Sequence, residues 1–118
     1  MFPMRWFLDA GIPATMGSDY PPGPFEPMMA LTSMTTRTDI RGTVWGANQR
    51  ITLAEALRVL TVNGAHASHE ERLKGSLTPG KLADLVVLAR DPRTVSAIDI
   101  VNIGIERTMV GGAWVYES

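Results

Sequence analysis

The segment GSDYPPGP, residues 17–24, limits the fold of this chain more than any other stretch. Pro21, Pro22 and Pro24 follow one another almost without interruption. Each lacks a backbone donor and holds φ at about −65°, so neither a helix interior nor a central strand can pass through them. The chain must turn stiffly here, directly after the carboxylate of Asp19. The stretch before the turn, IPATMG at Ile12–Gly17, has small side chains and is flanked by Gly11. It is expected to be a short buried strand, with Pro13 tolerated at its start. Residues 2–10, FPMRWFLDA, are expected to form a short helical or irregular piece that Gly11 ends in the left-handed conformation. Helix, tight loop and buried strand in that order are the rhythm of an α/β protein.

Beyond the prolines the periodicity becomes helical. Pro27 suits a first helical turn, and Met28, Leu31, Met34 and Thr35 follow at helical spacing. Residues 37–51 contain Gly42 and Gly46 and no clear period, so an irregular surface loop is expected. Thr52 and Glu55 make a T-x-x-E capping box for a helix with Leu53, Leu57 and Leu60 on its apolar face, running to about Asn63. The next eleven residues, AHASHEERLKG, read as one further short helix, with Glu70 and Lys74 at i,i+4 and Gly75 as its stop. The pattern then changes to strands. Pro79-Gly80 is the pair a type II turn prefers, before a strand at Asp84–Leu88. A second strand is expected over Ile100–Val110, and Gly111-Gly112 joins it to AWVYE as a hairpin.

With 118 residues, 45% of them hydrophobic, the chain can build one small core. Its net charge of −1 and scattered basic residues argue against nucleic acid as a partner. The absence of cysteine excludes disulfides and thiolate metal sites and makes a reducing, cytoplasmic compartment the expected one. No stretch approaches the roughly 20 apolar residues of a membrane span. The residues from Met1 to Gly11 do not read as a signal peptide.

Two clusters could carry chemistry. Asp19 stands at the end of the expected strand, where α/β folds place functional groups; it could equally be a turn former ahead of the prolines. His66 and His69 at i,i+3 would share one face of a helix, which suits either a shared metal or a solvated surface. Glu70 and Glu71 diverge on a helix and are expected at the surface.

Taken together, AGIPATMGSDYP, the Thr36-Arg37 pair, QRITLAEALRVLT, KGSLTPGKLADLVVLARDP and TMVGGAWVY resemble the C-terminal part of the metal-dependent amidohydrolase superfamily, and within it the amidohydrolase-3 (YtcJ-like) group. The resemblance covers nearly the whole chain. It implies a fold of class α/β plus β: residues 1–73 as the last strand and following helices of a (β/α)8 barrel, and residues 74–118 as closing strands of a small flanking β-sandwich. It implies hydrolysis of carbon–nitrogen bonds other than peptide bonds in a small-molecule substrate, with a divalent metal, zinc in the first instance, activating water. On that resemblance Asp19 is both a metal contact and the catalytic base and acid; Tyr20 and the proline segment after it leave the strand end on the metal side and are expected either to line one wall of the substrate pocket or to form a rigid surface turn. Arg37 matches a recurrent position and is expected in a salt bridge.

The same resemblance shows what this chain lacks. It contains no H-x-H pair, and His66 and His69 fall where the family keeps no metal ligand. A whole (β/α)8 barrel takes about 250 residues. The chain is therefore expected to be part of a longer enzyme, or a truncated product whose strand edges another segment or chain must cover. By itself it is expected neither to bind zinc tightly nor to hydrolyse amides. A non-catalytic, β-rich interaction module in which Asp19 only caps a turn is the other reading.

Overall fold

The structure, a computed structural model, describes residues 2–21 and 23–118. In chain order these form α1 (Met4–Asp9), α2 (Pro27–Thr36), α3 (Leu53–Leu60), α4 (Val62–Ala67), β1 (Leu85–Leu88), β2 (Ile105–Val110) and β3 (Ala113–Glu117). Short 3₁₀ turns occupy Ala47–Gln49, Pro92–Thr94 and Ala97–Asn102.

The expected capping box of α3 is formed. Thr52 Oγ1 accepts from the Glu55 N–H at 3.2 Å, and Glu55 Oε2 accepts from the Thr52 N–H at 2.8 Å. The buried stripe of α3, however, is Ala56 and Val59 rather than the expected leucines. Leu57 faces outward, and Leu53 and Leu60 lie only at the margin of the core. Small side chains at a helix contact allow the axes to come close, and α2 packs against this face. The helix also ends before Asn63. Thr61, at φ −123° and ψ −87°, breaks it, and α4 begins at the next residue.

α2 starts on Pro27, as expected, and ends on Arg37 in the left-handed conformation at φ 60°. The hydroxyls of Thr32, Thr35 and Thr36 donate to carbonyls four residues earlier, so this Thr-rich helix satisfies its own polar side chains against the core. Residues 37–51 are more ordered than a surface loop. Thr38 and Val44 form a β-bridge, Asp39 Oδ1 accepts from the Arg41 and Thr43 amides, and its Oδ2 accepts from Trp45 Nε1. The Trp45 indole, then the Thr43 amide, hold the Asp39 carboxyl below the ordinary aspartate range. Gln49 and Ile51 at the end of the segment are buried.

One apolar cluster joins Met4, Leu31, Met34, Ile51, Ala56, Val59, Ile100 and Ile103. Ile100 lies in a 3₁₀ turn where a strand was expected, so only Ile105–Val110 of that stretch enters the sheet. The turn packs against α2 and buries Ile100 to 2% exposure, so burial in the core accompanies the departure from a strand. The sheet is antiparallel in the order β1-β2-β3, with Val86 opposite Thr108 and Thr108 opposite Tyr116. Gly111 and Gly112, at φ 58° and 85°, make the expected hairpin turn. Gly80 at φ 90°, with the Lys81 N–H donating to the Thr78 carbonyl, makes the expected turn at Pro79-Gly80.

Ile12–Gly17 is not a strand of any sheet here. The Ala14 N–H donates to the Ile12 carbonyl at 2.7 Å, closing a γ-turn around Pro13. No described segment pairs with residues 12–17, and only Ala14 among them is half-buried. A ladder needs a neighbouring strand, and among the described residues the three strands pair only with one another.

Candidate functional site

Asp19 ends this extended segment and is exposed. Its backbone is left-handed, at φ 56°, a conformation that Asp tolerates better than most residues. The chain then folds back on itself. A Cβ at position 23 would lie 2.7 Å from the Ser18 carbonyl oxygen, so this close return requires Gly23. Pro22 of the expected stiff turn lies outside the described residues. Among the described residues the Asp19 carboxylate has neither a hydrogen-bond nor an ion-pair partner, which leaves both oxygens open as acceptors. Tyr20 is exposed beside it, and its ring meets Phe25 edge to face at 5.6 Å.

What holds this segment comes from the helices. Asn63, the second residue of α4, donates from Nδ2 to the Ala14 carbonyl at 2.8 Å. Thr15 Oγ1 donates to the Val59 carbonyl at 3.2 Å. Asn63 is buried and continues the stripe of Ala56 and Val59. Sequence reasoning passed over it, although an amide at a core position of an amphipathic helix is a signal in itself, because a buried polar group needs a partner.

The two histidines do not form a pair on one helix. α4 ends at Ala67, and His69 lies beyond it in the left-handed conformation at φ 58°. Both are exposed. The helix expected through Lys74 gives way to turns, in which Leu73 and Lys74 amides donate to the Glu70 carbonyl. Within them Glu70 does pair with Lys74, at 2.6 Å. Glu71 differs from the expected surface residue, because its Oε2 is buried without a partner. Arg37 also departs from expectation. Its Nε donates to the Trp45 carbonyl at 3.3 Å, and no salt bridge involves it among the described residues.

No group of three or more His, Asp or Glu side chains that could hold a metal occurs among the described residues. The residues present therefore do not fit a complete metal site. Asp19 offers an open carboxylate of the kind that one ligand position requires.

Residues 1–116 match the profile of the amidohydrolase family. Over 117 residues the chain is 36% identical to an N-substituted formamide deformylase of Arthrobacter pascens, an alignment covering 99% of this chain and 22% of that protein. It is 26% identical over 119 residues to the protein named YtcJ of Bacillus subtilis (strain 168), covering 98% and 22%. Among solved structures, guanine deaminase of E. coli superposes with a TM-score of 0.68 at 26% identity, over 96% of this chain and 29% of that one. The chain thus spans about a fifth of the length of the curated relatives it matches.

Proposed function

The chain belongs to the amidohydrolase family, and from that premise we propose that it is the C-terminal portion of a hydrolase that cleaves carbon–nitrogen bonds other than peptide bonds in small molecules. The observation that carries this reading is the alignment along 99% of the chain to an enzyme named for deformylating N-substituted formamides. Guanine deaminase, by its name, also removes nitrogen from carbon. In this reading residues 1–73 are the end of a (β/α)8 barrel, and residues 74–118 are the closing strands of a flanking β domain. Ile12–Gly17 takes its strand partners from the rest of the barrel, and the open edges of β1 and β3 are covered by the remainder of the protein.

The chemistry asked of this chain falls on Asp19. A divalent metal, zinc in the first instance, supplies an acidified water when bound. Asp19, an open carboxylate, takes the proton of the attacking water and hands it to the leaving nitrogen, the two halves of general base and general acid catalysis. With a metal bound, Asp19 would hold it as one ligand, and the others would have to come from residues outside this chain. Tyr20 presents an aromatic wall next to that carboxylate, braced by Phe25. No helix among the described residues is long and apolar enough to cross a membrane.

The test uses the longer protein that contains this chain and a panel of N-substituted formamides. Asp19→Asn should lower kcat/KM by about 10²–10⁴-fold without moving the thermal midpoint of the metal-free protein, because the carboxylate makes no bond within the described fold. Removing metal with a chelator should abolish turnover, and zinc should restore it. Full activity in Asp19→Asn would overturn the assignment.

A further inference from the structure

We propose that Asn63 and Thr15 are positioning residues, a pair of crossed side-chain-to-backbone bonds that sets where the Asp19 segment lies on α3 and α4. The proposal rests on the reading of Asp19 as a group of the reacting centre. Asn63 is 7% exposed, and an amide buried to that extent is costly unless bonded. Its donor goes to the Ala14 carbonyl, five residues before Asp19. The tie is returned one residue later, where Thr15 Oγ1 donates to the carbonyl of Val59. Val59 belongs to the last turn of α3, whose carbonyls have no partner within the helix. One bond therefore runs from helix to segment and the other from segment to helix, which fixes position along the segment as well as distance from it.

The surroundings are shaped for this contact. A Cβ at Gly64 would sit 3.6 Å from Thr15 Oγ1, so α4 lies directly against the segment. On its other side Gly75, at φ 91°, passes so close that a Cβ there would lie 2.7 Å from Ala65 Cβ and 3.2 Å from Val62 Cα. α4 is held between the two. Both bonds join the segment to the helices, so they act independently of any strands that flank residues 12–17. Catalytic groups displaced by about 1 Å lose on the order of a hundredfold in rate, and this clamp is the nearest built restraint upstream of Asp19.

The experiment again uses the longer protein. Asn63→Asp keeps the shape of the side chain and removes the donor, and Thr15→Val removes the second bond at an exposed position that does not threaten folding. Either change should lower kcat by about tenfold to a hundredfold with KM within about twofold. Amide hydrogen exchange over residues 15–19 should quicken by about tenfold or more, while exchange over Ile105–Glu117 stays unchanged. A lower melting temperature with unchanged kcat and unchanged exchange at residues 15–19 would show a merely structural role and overturn the proposal. Should Asp19→Asn retain activity, the functional reading fails, and the exchange experiment still decides whether the clamp exists.

Discussion

The β2–β3 hairpin and the Asp19 segment are both short extended pieces of chain, and they are held in opposite ways. Each strand of the hairpin is its neighbour's partner, joined through two glycines at positive φ. Arg107 reinforces it by lying 5.4 Å over the Trp114 ring and 3.5 Å from Glu117. Asp84 Oδ1 accepts from the Gly111 N–H at 2.7 Å and pins the turn to the start of β1. The Asp19 segment has no such neighbour. Its side-chain ties come from residues 44 and 49 positions away along the chain. A hairpin is written locally, whereas a site-bearing segment takes its conformation from whatever it is laid upon.

The strongest challenge to this contrast is to cut the packing between the helices and the β region. Ile100 enters the core beside α2, so Ile100→Ala should cost about 2–5 kcal/mol in urea unfolding, and the hairpin and the helices should lose protection together. Separate loss would show that the two regions are independent. Gly75→Ala comes next: positive φ and a Cβ driven into Ala65 and Val62 should cost about 2–3 kcal/mol. That change should loosen residues 12–19 through α4 before it affects Ile105–Glu117, as hydrogen exchange would reveal.

Two smaller effects concern local structure alone. Thr52→Ala removes the cap of α3 and should cost about 1 kcal/mol. It also tests a pH dependence. The Thr52 amide first, then the Thr52 hydroxyl and Arg5, hold the Glu55 carboxyl below the usual range. A depressed folded pKa gives stability that is complete above the value of an unfolded glutamate, about 4.3, and disappears as pH falls through the folded value. Unfolding midpoints measured from pH 6 down to pH 3 should therefore fall less steeply in Glu55→Gln than in the parent, with Thr52→Ala between the two because its backbone amide still donates, and an equal slope in Glu55→Gln would remove Glu55 from the account. The smallest change expected is Gly112→Ala, about 1 kcal/mol for a side chain at φ 85° with open space around it. It should leave exchange at residues 12–19 untouched.

Much of the fold was legible in the residues because its signals are short-range. The capping box, Pro27 at a helix start, the turn at Pro79-Gly80 and the Gly111-Gly112 hairpin each depend on two to four neighbours, and each is formed. The family could be read too, since its motifs are runs of adjacent residues. The structure departs from these expectations where a short apolar run depends on neighbours distant in sequence or outside this chain. IPATMG looks like a strand by composition, but a strand exists only when another pairs with it. Ile100 looks like strand by its β-branch, but it lies in a 3₁₀ corner buried against α2.

The candidate site divides along the same line. Its sequence alone placed Asp19 ahead of a proline turn and, through resemblance, gave that carboxylate a role. Only the tertiary structure showed that His66 and His69 part company at the end of α4, that Asn63 is a buried donor, and that its partner is the Ala14 carbonyl. A helix cap is closed by residues three apart, and its energy is present in the local sequence. The bond from Asn63 to Ala14 spans 49 residues, and it exists only after α3 and α4 have packed and set the distance between them.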